Sequence, residues 1–381
     1  MLHTLERALK QLLAAFLRIL LGSRHAAGFY PGLHSRILII RQHNQLGDML
    51  CVVPLLRALR ADLPDAHITV MASPVNYDVM ANNRYVDDII KFDKSEFTGR
   101  IGWKLYRFPG YALQLRKRGF DIVLVPSTVS TSFTSDLLAY LSGARIRIGA
   151  GSIDGKDNPS SFFFTHPREL DWRNTLASHQ VQRNMDIWPN PLSRSVDPSL
   201  EMTLTKEELI DGKSFIDSVL SGFKRVIIYH PGAGKLLNRW PARAFAAVAA
   251  ELAAIEDAAT IVTSGPMDEE PVNEMRSTLQ APVHLVSNQP IRRVASILRF
   301  ADLVVSNDTG IMHVAAAVGT PVLSLFGPTD PAQWAPLGSR HRYLLGKGGD
   351  IRAIPIRSVV ECAREMLRAG QKEERRVKSS E

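Results

Sequence analysis

A carboxylate, a helix start and a histidine follow one another in the run Asn307-Asp308-Thr309-Gly310-Ile311-Met312-His313. Apolar residues 303–305 and 321–326 predict strands on either side, and the alanine-rich stretch between them predicts a short helix. Asp308 or Thr309 can cap that helix, and Gly310 lets a ligand approach the backbone. Free N–H groups at a helix start, reinforced by the helix dipole, suit an anion such as a diphosphate. His313 falls about one turn further on and faces the same way. The same spacing also describes an ordinary strand, cap, helix and strand.

Three other predicted strand ends carry chemistry. After RILIIR (36–41) comes a polar turn with Gly47 and Asp48 at the start of a helix. Asp48 is either an N-cap or a base within reach of an incoming hydroxyl. After RVIIYH (225–230) comes Pro231-Gly232-Ala233-Gly234-Lys235-Leu236-Leu237-Asn238-Arg239-Trp240-Pro241. A Walker A loop needs glycine where Tyr229 stands and Ser or Thr where Leu236 stands, and the third glycine of a dinucleotide fingerprint is missing. What remains is a glycine turn bearing Lys235 and Arg239, which suits phosphate as well as a solvated loop. After TIVTS (260–264) come Asp268, Glu269 and Glu270, acids that either stabilise a helix start or hold ribose hydroxyls.

These turns need strands and helices to aim them. Strand-like runs at 36–41, 67–72, 88–92, 121–126 and 145–149 alternate with helical stretches at 48–61, 103–117 and 132–141. The rhythm repeats with strands at 225–230, 260–264, 283–286, 303–305 and 322–326, and helices at 205–220, 242–255, 268–279, 291–300 and 310–318. Strands alternating with helices predict an α/β protein with parallel sheets, in two doubly wound halves facing a cleft. Ligands in such folds sit beyond the carboxyl ends of the strands. Residues 151–173 break the rhythm and read as either a loop over the site or an edge hairpin. A helix is expected near 176–187, followed by a Pro, Asn and Ser cluster at 188–198. The expected division is an arm at 1–35, a first domain at 36–200, a second at 201–357, and a helix with a mixed-charge, disordered tail at 358–381. Cations and helix starts gather in the second half and a carboxylate stands in the first. That division suits an activated nucleotide donor on one side and a hydroxyl acceptor on the other.

The 381 residues carry a net charge of +8. No basic-aromatic platform or recognition helix accompanies that charge, so an anionic membrane or substrate is favoured over nucleic acid. Cys51 and Cys362 give neither a disulfide framework nor a zinc spacing, and no His/Asp/Glu cluster has metal spacing. Leu2, Leu5, Leu9, Leu12, Leu13, Phe16 and Leu20 follow helical spacing, while Lys10 and Arg18 interrupt the run too often for a spanning helix. Such a helix lies either on an anionic leaflet or on the protein's own surface.

Taken in order, RILIIRQHNQLGDMLCVVPLLRAL, HQVQRNMDI, HPGAG…NRWP, SGPMDEE and SNDTGIMHVAAAVGTPVLSLFGPTDP resemble glycosyltransferase family 9, the lipopolysaccharide heptosyltransferases. The resemblance covers residues 36–331. It implies a GT-B fold, an inverting mechanism without a required metal or other cofactor, and ADP-L-glycero-D-manno-heptose as donor. It also implies a lipopolysaccharide core acceptor at the cytoplasmic face of the inner membrane. On this resemblance Asp48 is the general base, and Thr309 and Gly310 take the diphosphate through backbone N–H. Asp308 and His313 meet phosphate and sugar, Ala233, Gly234 and Arg239 line the phosphate and nucleoside, and Asp268 or Glu269 binds the ribose. The family usually has lysine where this chain has Asn238; Lys235 or Arg239 then supplies the missing charge. Two alternatives stay open: a GT-B transferase for another nucleotide sugar and cell-envelope glycan, and a non-catalytic sugar-nucleotide-binding protein.

Overall fold

The computed structural model describes residues 14, 16–19, 22, 31–98, 107–173, 179–190, 192 and 197–378. The chain divides into two compact units, Met1–Asp197 and Pro198–Glu381. Each is built on its own largely parallel sheet.

In the first unit the strands are β1 (Arg36–Arg41), β2 (His67–Ala72), β3 (Asp88–Lys91), β4 (Ile122–Leu124), β5 (Ile146–Ile153), β6 (Lys156–Asp157) and β7 (His166–Leu170). Their order is β3-β2-β1-β4-β5, with β6 antiparallel and β7 parallel on β5. β1 is buried from its second residue onward, as a continuous apolar run predicts for a central parallel strand. The helix expected over 48–61 is two helices, Leu46–Leu50 and Val53–Asp62. The second restarts with Pro54 in its first turn, where a missing N–H removes no helical bond.

Residues 151–173 hold the edge hairpin, not a free loop. β5 reverses through Asp154 and Gly155, both at positive φ, into β6. The chain then returns through a 3₁₀ turn, Ser161–Phe163, to pair β7 alongside β5. Phe162 and Phe163 are buried there, and Phe163 meets Phe133 edge-on at 6.0 Å. Ala14 packs into the same cluster with Leu17. Residues 16–19 are helical, while most of the expected N-terminal helix, the start of the one at 103–117 and the start of the one at 176–187 lie outside the described residues.

In the second unit the strands are β8 (Arg225–His230), β9 (Ala258–Ser264), β10 (Val283–Ser287), β11 (Leu303–Asn307), β12 (Val322–Phe326) and β13 (His341–Leu345). The order β10-β9-β8-β11-β12-β13 is parallel throughout. β13 is an addition to the expected strands. A full capping box at Thr205 and Glu208 starts the helix Lys206–Val219. Trp240, Phe245 and Leu252 pack with Val359, Val360 and Ala363 of the last helix, Ile356–Lys378. That helix continues through residues 371–378, where a disordered tail was expected; Gln, Lys, Glu and Arg are strong helix formers. In each sheet the strand order reverses at one crevice, between β1 and β4 and between β8 and β11, where α/β folds place ligands.

Candidate active site

The crevice of the second unit is held by Asn307, the buried last residue of β11. Its Nδ2 donates to the carbonyls of Pro231 at 2.8 Å and Gly232 at 3.3 Å, and its Oδ1 accepts the Trp240 N–H at 3.0 Å. The turn after β8 is thereby fixed at both ends. Gly232 has no room for a side chain, because a Cβ there would lie 2.1 Å from the Asp268 carboxyl. Asp268 is buried against it, accepts the Gly265 N–H at 2.8 Å and lies 3.7 Å from His230 Nε2. Burial lowers the His230 pKa, and the nearby Asp268 opposes that shift. Of the two candidate ribose acids, Asp268 is therefore engaged inside the fold and Glu269 is exposed.

Neither expected cap closes the helix Gly310–Ala317. Thr309 occupies the N-cap position in extended backbone, without a side-chain bond to the helix. Asp308 turns away and accepts from Asn238 Nδ2 at 2.9 Å. The same Nδ2 donates to Thr329 Oγ1 at 3.3 Å. With no side chain capping it, this helix start keeps its first backbone donors for an anion. Burial raises the Asp308 carboxyl pKa, while a Thr329 hydrogen bond and the Lys235 charge pull it back. His313 is buried one turn along, edge-on to Trp334 with ring centres 6.2 Å apart. A cleft of about 490 Å³ opens beside these groups, lined by Lys235, Leu236, Leu237, Asn238, Pro328 and Thr329. Arg239 lies against the turn, with Nε donating to the Ala233 carbonyl at 2.8 Å and Nη1 3.7 Å from Glu270. Ala233 is buried, and Gly234 is exposed with open space where a Cβ would project.

In the first unit Asp48 is not an N-cap. Gln45 holds that position, and Asp48 lies in the first turn of Leu46–Leu50. Its carboxylate meets Arg41 Nη2 at 2.9 Å, both side chains being buried. Arg41 Nη1 also donates to the Pro126 carbonyl at the end of β4, at 2.6 Å. The ion pair thus bridges the crevice between β1 and β4. Burial, aided by Arg41, pushes the His43 pKa down. Gln42, His43 and Asn44 of this turn line a cavity of about 1200 Å³ with Lys94, Ser132 and Asn158. Cys51 is fully buried and its thiol is pushed up to about 12 by that burial, which makes it packing and not a nucleophile.

Arg41, Asn307 and Asp136 were not singled out from the sequence. The one available signal for Arg41 was a cation closing the apolar run Ile37–Ile40 at the carboxyl end of β1. Asp136 is buried, accepts from Ser160 Oγ at 2.6 Å and Asn158 Nδ2 at 3.0 Å, and its carboxyl is pushed up to about 7 by burial. Among the described residues no helix is long and apolar enough to cross a membrane, and no group of three or more His, Cys, Asp or Glu could hold a metal ion.

The chain is similar to known proteins along most of its length. The family model of glycosyltransferase family 9 (heptosyltransferase) matches residues 111–351. Lipopolysaccharide heptosyltransferase 3 of Escherichia coli is 26% identical over 323 residues, covering 82% of this chain and 88% of that protein. Lipopolysaccharide heptosyltransferase 2 of Salmonella typhimurium is 25% identical over 336 residues, covering 81% and 87%. Among solved structures, a family 9 glycosyl transferase from Veillonella parvula superposes with a TM-score of 0.75 at 23% identity, over 87% of this chain and 97% of that one. The E. coli ADP-heptose lps heptosyltransferase II does so with a TM-score of 0.72 at 23% identity, over 88% and 99%. The fold is therefore GT-B, with one Rossmann-like sheet in each unit. Since the family model spans more than half of its residues, the chain belongs to glycosyltransferase family 9 and is a glycosyltransferase.

Proposed function

We propose that this enzyme transfers heptose from ADP-L-glycero-D-manno-heptose to a hydroxyl of a lipopolysaccharide core, by a single inverting displacement that needs no metal. The observation that carries the donor half is the uncapped start of Gly310–Ala317 beside the Asn238–Asp308 bond and the cleft next to it. Thr309 and Gly310 offer backbone N–H groups to the diphosphate, and Lys235 or Arg239 supplies positive charge. Ala233 and Gly234 line the nucleoside, His313 and Asp308 meet the phosphate and sugar, and Glu269 reaches the ribose. In the first unit Asp48, oriented by Arg41, takes the proton of the acceptor hydroxyl as it attacks the anomeric carbon. The bond to the diphosphate breaks as the new glycosidic bond forms.

Named relatives support the heptose donor: two of them are lipopolysaccharide heptosyltransferases. We also propose that the other face of the N-terminal arm lies on an anionic membrane: Ala14 and Leu17 pack on the protein's own surface, while Phe16 and Ile19 stay 59% and 85% exposed beside Arg18. A second reading, another nucleotide sugar for a different envelope glycan, is favoured by Asn238 at a position where the family usually carries lysine.

The deciding experiment is nucleotide release from ADP-heptose and a panel of UDP-, GDP- and dTDP-sugars, with a truncated lipopolysaccharide core and Asp48→Ala as control. Acceptor-dependent ADP release, absent in the variant, is the expected result. Release from another donor alone discards heptose and keeps the mechanism. Tight donor binding without release from any donor favours a binding protein.

A further inference from the structure

The turn after β8 carries two cations near the donor site, and the geometry separates them. Lys235 is the N-cap of the 3₁₀ turn Leu236–Asn238. Residues three apart on such a turn eclipse one another, so Lys235 and Asn238 share a side, and both line the 490 Å³ cleft. Asn238 is 5% exposed, gives its amide hydrogens to Asp308 and Thr329, and leaves Oδ1 buried without a partner among the described residues. Reversing the amide would set its oxygen against the Asp308 carboxylate. A neutral amide cannot balance a departing diphosphate. Arg239 is committed elsewhere, to the Ala233 carbonyl and towards Glu270. Lys235 is exposed, its ammonium has no hydrogen bond or ion pair among the described residues, and its charge reaches Asp308.

We propose that Lys235, and not Arg239, balances the charge of the donor's diphosphate, and that Asn238 is a positioning residue that holds Asp308 beside it. This rests on the donor site proposed above. As the acceptor oxygen bonds to the anomeric carbon, the electron pair of the breaking bond passes to the diphosphate, where the Lys235 ammonium faces it. The acceptor's proton goes to Asp48. An ammonium on a flexible stem suits this task because it is a compact point charge that can follow the leaving group.

The test is direct binding of ADP and AMP, UDP and UMP, and GDP and GMP to the full chain. For whichever base the enzyme binds, the diphosphate should bind at least about tenfold more tightly than the monophosphate, or about 1.4 kcal/mol. Lys235→Gln should lower that ratio, with a larger loss for the diphosphate than for the monophosphate, the backbone N–H groups at Thr309 and Gly310 retaining the remainder. Arg239→Gln should keep the preference, and Lys235→Gln combined with Asn238→Lys should restore it. A Lys235→Gln enzyme that retains the wild-type ratio overturns the inference, as does a wild type without diphosphate preference for any base. Binding of uridine or guanosine nucleotides alone overturns the ADP-heptose donor and leaves the Lys235 assignment standing. For Asn238, loss of the hydrogen bond to Asp308 in Asn238→Ala should lower kcat with nucleoside diphosphate affinity kept, and Asn238→Gln should recover part of the loss. An unchanged kcat in Asn238→Ala refutes the positioning role.

Discussion

The first strand of each sheet ends in a charged turn, and the two turns treat their charge in opposite ways. After β1, Arg41 and Asp48 close on each other inside the protein at 2.9 Å. After β8, Lys235 stays in solvent beside a helix start that no side chain caps. Both turns sit at the crevice where strand order reverses. Topology therefore supplies a site twice, and the pairing of charge decides what each site does. A carboxylate held by a buried cation is fixed in place before substrate arrives. Donors and a cation left unpaired are what the proposed diphosphate site requires.

The comparison can be broken most sharply at Asp48. Asp48→Asn should lower transfer by about 10²–10⁴-fold, the usual contribution of a general base, with nucleoside diphosphate affinity unchanged. Equal losses in binding and transfer would show that the first turn also holds the donor. Arg41→Gln should destabilise the first unit by about 3–5 kcal/mol, because it strands a buried carboxylate, whereas Lys235→Gln should leave the denaturant midpoint where it is. Equal effects would erase the contrast.

Asn307→Ala should cost about 1–3 kcal/mol in the second unit, since it leaves buried backbone partners unsatisfied, and should speed amide exchange at Trp240. The remaining effect is a slope. Folding raises the Asp136 carboxyl to about 7, so between about 4 and 7 the folded state holds a proton that the unfolded chain has lost. Its contribution is fully present below that window and disappears as pH rises through 7. Asp136→Asn should flatten stability against pH across the window, by at most about 1.4 kcal/mol per pH unit. An unchanged slope would mean that Asp136 stays ionised in its pocket.

Central strands were legible because their apolar runs are continuous: RILIIR and RVIIYH are buried from the second and first residues. β13 was not, because HRYLL has three exposed positions at a sheet edge and so lacks an apolar face to read. β6, only Lys156–Asp157, has both residues exposed. At the site, the polar turns and Asp48, Lys235 and Asp308 were visible as residue types. Their partnerships were not. Asn238 meets Asp308 across 70 positions of sequence, and Asn307 reaches Trp240 across 67, distances over which local periodicity carries no information. The inward turn of Asp268 depends likewise on Gly232, whose missing side chain makes the space.

The anchoring of the turn after β8 also says where this enzyme can be re-engineered. Asn307 grips the backbone at Pro231 and Gly232 on one side and at Trp240 on the other. Residues 234–237 between those posts are exposed, and their side chains are not part of the grip. With Gly234 and Lys235 kept for the donor, Leu236 and Leu237 form a replaceable pair: libraries built there leave untouched the frame that keeps the sheet folded.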